Sequence, residues 1–129
     1  MKFTYQLWEG EDLPIVPLTL KGKEEWIDFD TFIDTGASFC LFPADVAEIL
    51  GVRLEEGEIR KMLLGDGNAL TAYLHNLPVS LAGKEFLAPI GFSKGLGTNL
   101  AIMGRRGVFN QFIICFHEKE KTVEFEPIN

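Results

Sequence analysis

The chain is poor in cysteine, in histidine, in cations and in long apolar runs, and each shortage removes a class of protein. Only two cysteines occur, Cys40 and Cys115, far apart and both in apolar surroundings. That usage predicts two buried thiols rather than a disulfide framework. The two histidines, His75 and His117, stand alone, so no Cys/His set has the spacing of a metal site, and neither metal nor cofactor is expected. Lys and Arg together number 12 against 19 acids, a net charge of −7. Arg53, Arg60, Lys61, Arg105 and Arg106 are scattered among acids and form no long basic run, which argues against nucleic acid or an anionic membrane as partner. No stretch approaches the ~20 apolar residues of a membrane span. The longest runs, such as Phe112 to Phe116, suit a buried strand instead. The opening "MKFTYQLWEG" alternates polar and apolar residues and lacks the apolar centre of a signal peptide, so a cytoplasmic location is expected.

What the chain does contain is material for one core. Hydrophobic residues make up 47% of its 129 residues and include 11 phenylalanines, a composition that folds as a single domain over residues 1–129. Most of the pattern has the period of a strand. "KFTYQLWE" alternates with Phe3, Tyr5 and Leu7 on one side, and "LPIVPLTLKG" follows as a second strand whose Pro17 suits a sheet edge. In "EWIDFDTFID" the residues Ile27, Phe29, Thr31 and Ile33 share one face, and Asp28, Asp30, Phe32 and Asp34 the other. Both faces become apolar near Asp34, so this strand sinks into the interior as it reaches the acid. "FPADVAEILGV" predicts the one helix, over 43–51, with Pro43 at its start and Gly51 after its last turn. "IRKMLLGDGNALTAYLH" predicts a hairpin with "GDGN" at its tip. "LPVSL", "EFLAPIGF" and "LAIMG" predict three further strands, "RRGVFNQF" an irregular helical turn, and "FIICFHE" with "TVEFE" a last hairpin. The expected fold is mainly β, a partly closed barrel with one short helix.

The stretch "TFIDTGASFCLFP" carries Asp34 out of an apolar strand into a tight turn. A carboxylate there is either a turn residue bonded to local backbone or a reacting group in a water-poor cleft. Asp-Thr-Gly followed by Ala or Ser arises by chance in roughly one chain in a few hundred of this length. Here it is joined, in order, by "LLGDGNAL" and "LAIMGRRGVF". With these features the chain resembles the retropepsin-like aspartic proteases, the single-domain relatives of pepsin and of the retroviral proteases, from about Leu13 to Pro127. The resemblance implies that Asp34, Thr35 and Gly36 form the catalytic turn, and that the hairpin bearing Gly65, Asp66 and Gly67 is a flap over substrate. It places Ala37, Ser38, Leu100 and Ile102 in the substrate cleft, although Leu100 and Ile102 would equally serve as core strand residues.

Two carboxylates about 3 Å apart cannot both ionise, and such a pair can activate a water while donating to a peptide carbonyl. The chain has a single Asp-Thr-Gly, because Asp30-Thr31 is followed by Phe and Asp66-Gly67 lacks the Thr. The resemblance therefore implies a homodimer with one site on its two-fold axis, acting on a peptide or protein substrate. The rival is a non-catalytic peptide- or protein-binding module of the same fold. A small-ligand barrel has no polar cluster to support it. Two departures from the retroviral pattern stand out. Ser38 occupies the position of an acid that usually pairs with the Arg of the Gly-Arg motif, and Arg106 stands where Asp or Asn is usual.

Overall fold

The alternating pattern folds, in a computed structural model described over residues 1–63, 67–96 and 100–129, into twelve strands and one α-helix among those residues. The strands are β1 (Lys2–Thr4), β2 (Gln6–Trp8), β3 (Glu11–Leu13), β4 (Ile15–Lys21), β5 (Trp26–Ile33), β6 (Cys40–Pro43), β7 (Glu58–Leu63), β8 (Ala69–Leu81), β9 (Lys84–Ser93), β10 (Ala101–Met103), β11 (Phe112–His117) and β12 (Thr122–Pro127). The helix α1 (Ala44–Ile49) lies between β6 and β7, with Pro43 at its N-cap and Gly51 just past its end at φ 74°. Single 3₁₀ turns span Leu54–Glu56 and Phe109–Gln111.

Seven strands form one sheet in the order β4-β5-β10-β6-β9-β8-β7, and β4 also pairs with β8, which partly closes the sheet into a barrel. The closing contact is short, Thr19 opposite Ser80 and Leu20 opposite Val79. Three prolines sit inside these strands without breaking a ladder. Pro78 faces Leu87 of β9, but on its other side β7 has stopped at Leu74 and β4 begins only at Val79. Pro17 lies where β4 has β5 on one side and has not yet met β8. Pro89 immediately precedes the first β9 residue to meet β6. Each proline thus occupies a position with one open flank, where its missing N–H costs nothing.

The barrel is filled by Val16, Leu18 and Leu20 of β4, Phe42 of β6, Val79 of β8, and Ile90 and Phe92 of β9, all fully buried. Helix α1 closes one side with Val46 and Ala47. A three-stranded sheet, β1-β12-β11, packs Phe125, Phe112 and Val123 into the same core, and a β2-β3 ribbon stands apart.

Several boundaries differ from the sequence pattern. The N-terminal run is two strands, because Tyr5 turns inward, donates its N–H to Lys121 O and gives its hydroxyl to Glu118. Leu7 beyond that break is 72% exposed rather than sharing a face with Tyr5. The run from Leu13 likewise divides, Leu13 ending β3 and Ile15 opening β4. "LPVSL" is not a separate strand but the second half of the 13-residue β8, which turns into β9 through Ala82 and Gly83 at φ 50° and 80°. Cys40 is buried as expected, whereas Cys115 is exposed. It lies on edge strand β11 opposite Glu124, on the face turned away from the core.

Candidate active site

Asp34 follows the last residue of β5, and its position is set from both sides. Parallel pairing of β5 with β10 places Thr31, Phe32 and Ile33 beside Ala101, Ile102 and Met103. The ladder ends with Asp34 N–H donating to Met103 O at 3.0 Å, while Ile33 N–H reaches Pro14 O. Buried Thr31 locks the strand from within by donating its hydroxyl to Val16 O at 2.9 Å. The burial pattern along β5 runs from exposed at Trp26, Asp28 and Asp30 to buried at Thr31 and Ile33, the predicted descent towards the acid.

Beyond Asp34 the chain turns sharply. Ala37 N–H donates to Asp34 O, and Gly36 N–H donates to Asp34 Oδ1 at 2.9 Å. One carboxylate oxygen is thereby fixed by the turn, which is the geometry of the local-backbone reading. The same contact orients the carboxyl in a groove of about 340 Å³. Thr35 is exposed, and its hydroxyl has no partner among the described residues.

The turn is buttressed by the segment that follows β10. Gly104 passes so close to Phe39 that a Cβ on it would stand 2.2 Å from Phe39 O. Arg105 N–H then donates to Ala37 O and Arg106 N–H to Ser38 O, at 3.0 and 2.7 Å. The Gly-Arg pair is thus the backbone clasp of the segment 37–39. The acid absent at position 38 is replaced by weaker contacts, Arg105 Nη2 to Ser38 Oγ and Nε to Ala37 O, each 3.4 Å.

The groove brings together Asp34, Gly36, Ala37, Ser38 and Ile102 of the expected residues. It does not bring Leu100, which lines a separate groove with Trp8, Phe29 and Asp30. Gly65 and Asp66 lie outside the described residues; Gly67, at φ 87°, and Asn68 are the described part of the expected hairpin tip. The pairing of β7 with β8 from Glu58–Leu74 to Leu63–Ala69 forms the arms of that hairpin. Four lining residues were missed by sequence reasoning: Phe39, Leu41, Met62 and Leu63. Their signal was present as alternation, since Ala37, Phe39 and Leu41 are spaced by two and Met62 lies on a flap arm. Leu41 also packs with Leu70 and Ala72 in a small apolar cluster beside Met62 and Ile102, which joins the flap arms to the groove wall. Phe39 is held under two cations, Arg106 at 5.1 Å and Arg60 at 5.6 Å from its ring centre.

A protein-family model described as aspartyl protease matches residues 16–87, more than half of the chain, and includes the turn at Asp34. No curated protein sequence matches. Among solved structures, a retropepsin-like aspartic protease from Rickettsia conorii superposes with a TM-score of 0.66 at 19% identity, covering 95% of this chain and 97% of that one. The retroviral protease-like domain of Ddi1 from Leishmania major gives 0.62 at 18% identity, over 91% and 90%. The EIAV protease, in complex with an inhibitor, gives 0.55 at 15% identity, over 78% and 88%. At these identities the likeness is one of fold, and it establishes the retropepsin-like architecture.

Proposed function

The chain belongs to the aspartyl protease family, and from that premise we propose that it is an endopeptidase active as a homodimer, a single domain over residues 1–129 working in the cytoplasm. One observation carries the reading. Asp34 is oriented by its own turn into an apolar groove, yet each chain has one Asp-Thr-Gly and can supply one carboxylate. A two-fold axis beside the turn would set two Asp34 side chains together. The pair then shares one proton; the ionised member takes a proton from a bound water, and the protonated member donates to the substrate carbonyl oxygen. Water oxygen bonds to the carbonyl carbon, and the resulting tetrahedral adduct expels the amine as the C–N bond breaks and nitrogen takes up a proton. Gly36 permits close approach of backbone, Ala37, Ser38 and Ile102 contact the substrate, and the flap with Gly65, Asp66 and Gly67 covers it.

Two further features support a partner copy. The Thr35 hydroxyl, without a partner among the described residues, suits a bond between the two turns. Strand β11 is the edge of its sheet, and "FIICFH" carries neither Lys, Arg, acid nor proline, with Ile113 and Phe116 exposed. Edge strands exposed alone are usually blunted by such residues; this one is left ready to pair.

The test is Asp34→Asn. It should abolish peptide cleavage while circular dichroism and melting stay close to wild type, since both halves of the pair change together. Cleavage persisting above about one per cent of the wild-type rate would defeat the assignment, because an essential nucleophile-activating group normally contributes at least ~10²-fold. A wild-type protein that binds peptides but never cleaves them would support the non-catalytic module.

A further inference from the structure

The Ser38–Phe39 end of the groove gathers three guanidiniums in a chain that is otherwise acidic. Arg105 reaches Ala37 O and Ser38 Oγ only at 3.4 Å, and Arg106 and Arg60 lie over Phe39. Arg60 faces Glu58 at 3.7 Å, an exposed pair of little strength. Neither Arg105 nor Arg106 forms an ion pair with any carboxylate among the described residues. With 19 acids on the chain, two exposed arginines without an acid partner among the described residues stand against Ser38 and Phe39 of the groove wall, placed as a receptor for a carboxylate. A guanidinium stacked on an aromatic ring keeps its in-plane donors open, and that fork matches a carboxylate.

We propose that this groove selects peptides bearing a carboxylate side chain, Asp or Glu, on the segment flanking the scissile bond, with Arg105 and Arg106 as its receptors. Phe39, Leu41, Met62 and Ile102 take the neighbouring apolar side chain. The inference rests on the protease reading for its cleavage site. Because a two-fold axis duplicates the arginines, the preference falls on both sides of the scissile bond.

A peptide series tests it, with one apolar scissile pair and a Glu moved outward one position at a time on either flank, each peptide matched by its Gln counterpart. One position on each flank should favour Glu by about tenfold in kcat/KM, the scale of a charge-assisted contact discounted for solvent. The gain should lie mainly in KM and shrink between about 50 and about 500 mM salt. Arg106→Gln should bring the Glu/Gln ratio near one, and Arg106→Lys should restore part of it. A ratio near one at every position in the wild type, or one that survives Arg106→Gln with Arg105→Gln, overturns the inference while leaving the protease reading intact. Fluorescence anisotropy of labelled Glu and Gln peptides on the Asp34→Asn protein reads the same ratio without cleavage. If no peptide is cut by the wild type, the protease reading fails, and that affinity ratio alone decides the inference.

Discussion

A single missing side chain governs the geometry around Asp34. Any Cβ at position 104 would collide with Phe39 backbone atoms, which cannot swing aside as a side chain could. Gly104→Ala is expected to cost at least about 3 kcal/mol, at the upper end for overpacked sites. Urea titration of the two proteins measures it, and a loss under about 1 kcal/mol would mean that the clasp yields. The thiols make a second residue-scale contrast. Burial pushes the Cys40 thiol up to about 11, against a weaker downward pull from the Gly104 backbone. Dilute native protein should therefore label at one thiol, Cys115, with Cys40 reacting only on unfolding. In the unfolded chain Cys40 ionises near its ordinary value of 9.0. Its contribution to stability is therefore complete below that pH and lost as pH rises to about 11, a fall of about 2 to 3 kcal/mol. Unfolding titrations of wild type and Cys40→Ala across that range would show a steeper fall in the first than in the second, and equal slopes would defeat the assignment. Asp34 and Gly104 stood out in the sequence because each belongs to a contiguous motif. Phe39 shows in the sequence only as one member of the alternation Ala37, Phe39 and Leu41; nothing local announces that Arg60 of β7 and Arg106 of the turn after β10 will lie over it.

At the scale of elements, periodicity revealed most strands and misjudged where they end. It found β5 and the last hairpin from an apolar face, and the β7–β8 hairpin from the Gly-Asp-Gly-Asn run at its tip. It joined β1 to β2 because alternation continues through Tyr5, and only the tertiary bonds to Lys121 and Glu118 show that the chain leaves the sheet there. It split β8 at Asn76, between the run ending at His75 and "LPVSL", because one long strand shows itself only in the pairing that continues along β9 from Tyr73 to Leu81. The Tyr5 junction has its own pH dependence. Lys121, donating at 2.6 Å, and then Tyr5 hold the Glu118 carboxyl below its usual range. That stabilisation is present above the ordinary carboxylate pKa and lost as pH falls through the lowered one. Glu118→Gln should therefore narrow the gap in melting temperature between neutral and acid pH, as differential scanning would read. Strand β11 allows a test of the dimer. Cys115→Arg puts a charge on its exposed face, opposite Glu124 within its own sheet. It should raise the dimer dissociation constant at least about tenfold, equal to 1.4 kcal/mol, by sedimentation. An unchanged constant would place the partner elsewhere.

For the whole molecule, the proposed half-site per chain would make activity a property of concentration. Specific activity should fall on dilution, and because each chain carries −7, added salt should oppose that fall by screening the repulsion between copies. Constant specific activity from micromolar protein downward, with monomer mass throughout, would exclude a shared site. The clasp behind Asp34 has a consequence in time as well as in space. Arg105 and Ala37 are 68 residues apart in sequence, and the parallel ladder that holds Asp34 cannot form until β10 exists. During synthesis the acid leaves the ribosome long before anything can orient it. Such distant pairings form slowly, after the loop between them has closed. On the proposed mechanism, a nascent or truncated chain carries the whole Asp-Thr-Gly motif without the means to use it, so an unfinished copy would leave its neighbours uncut.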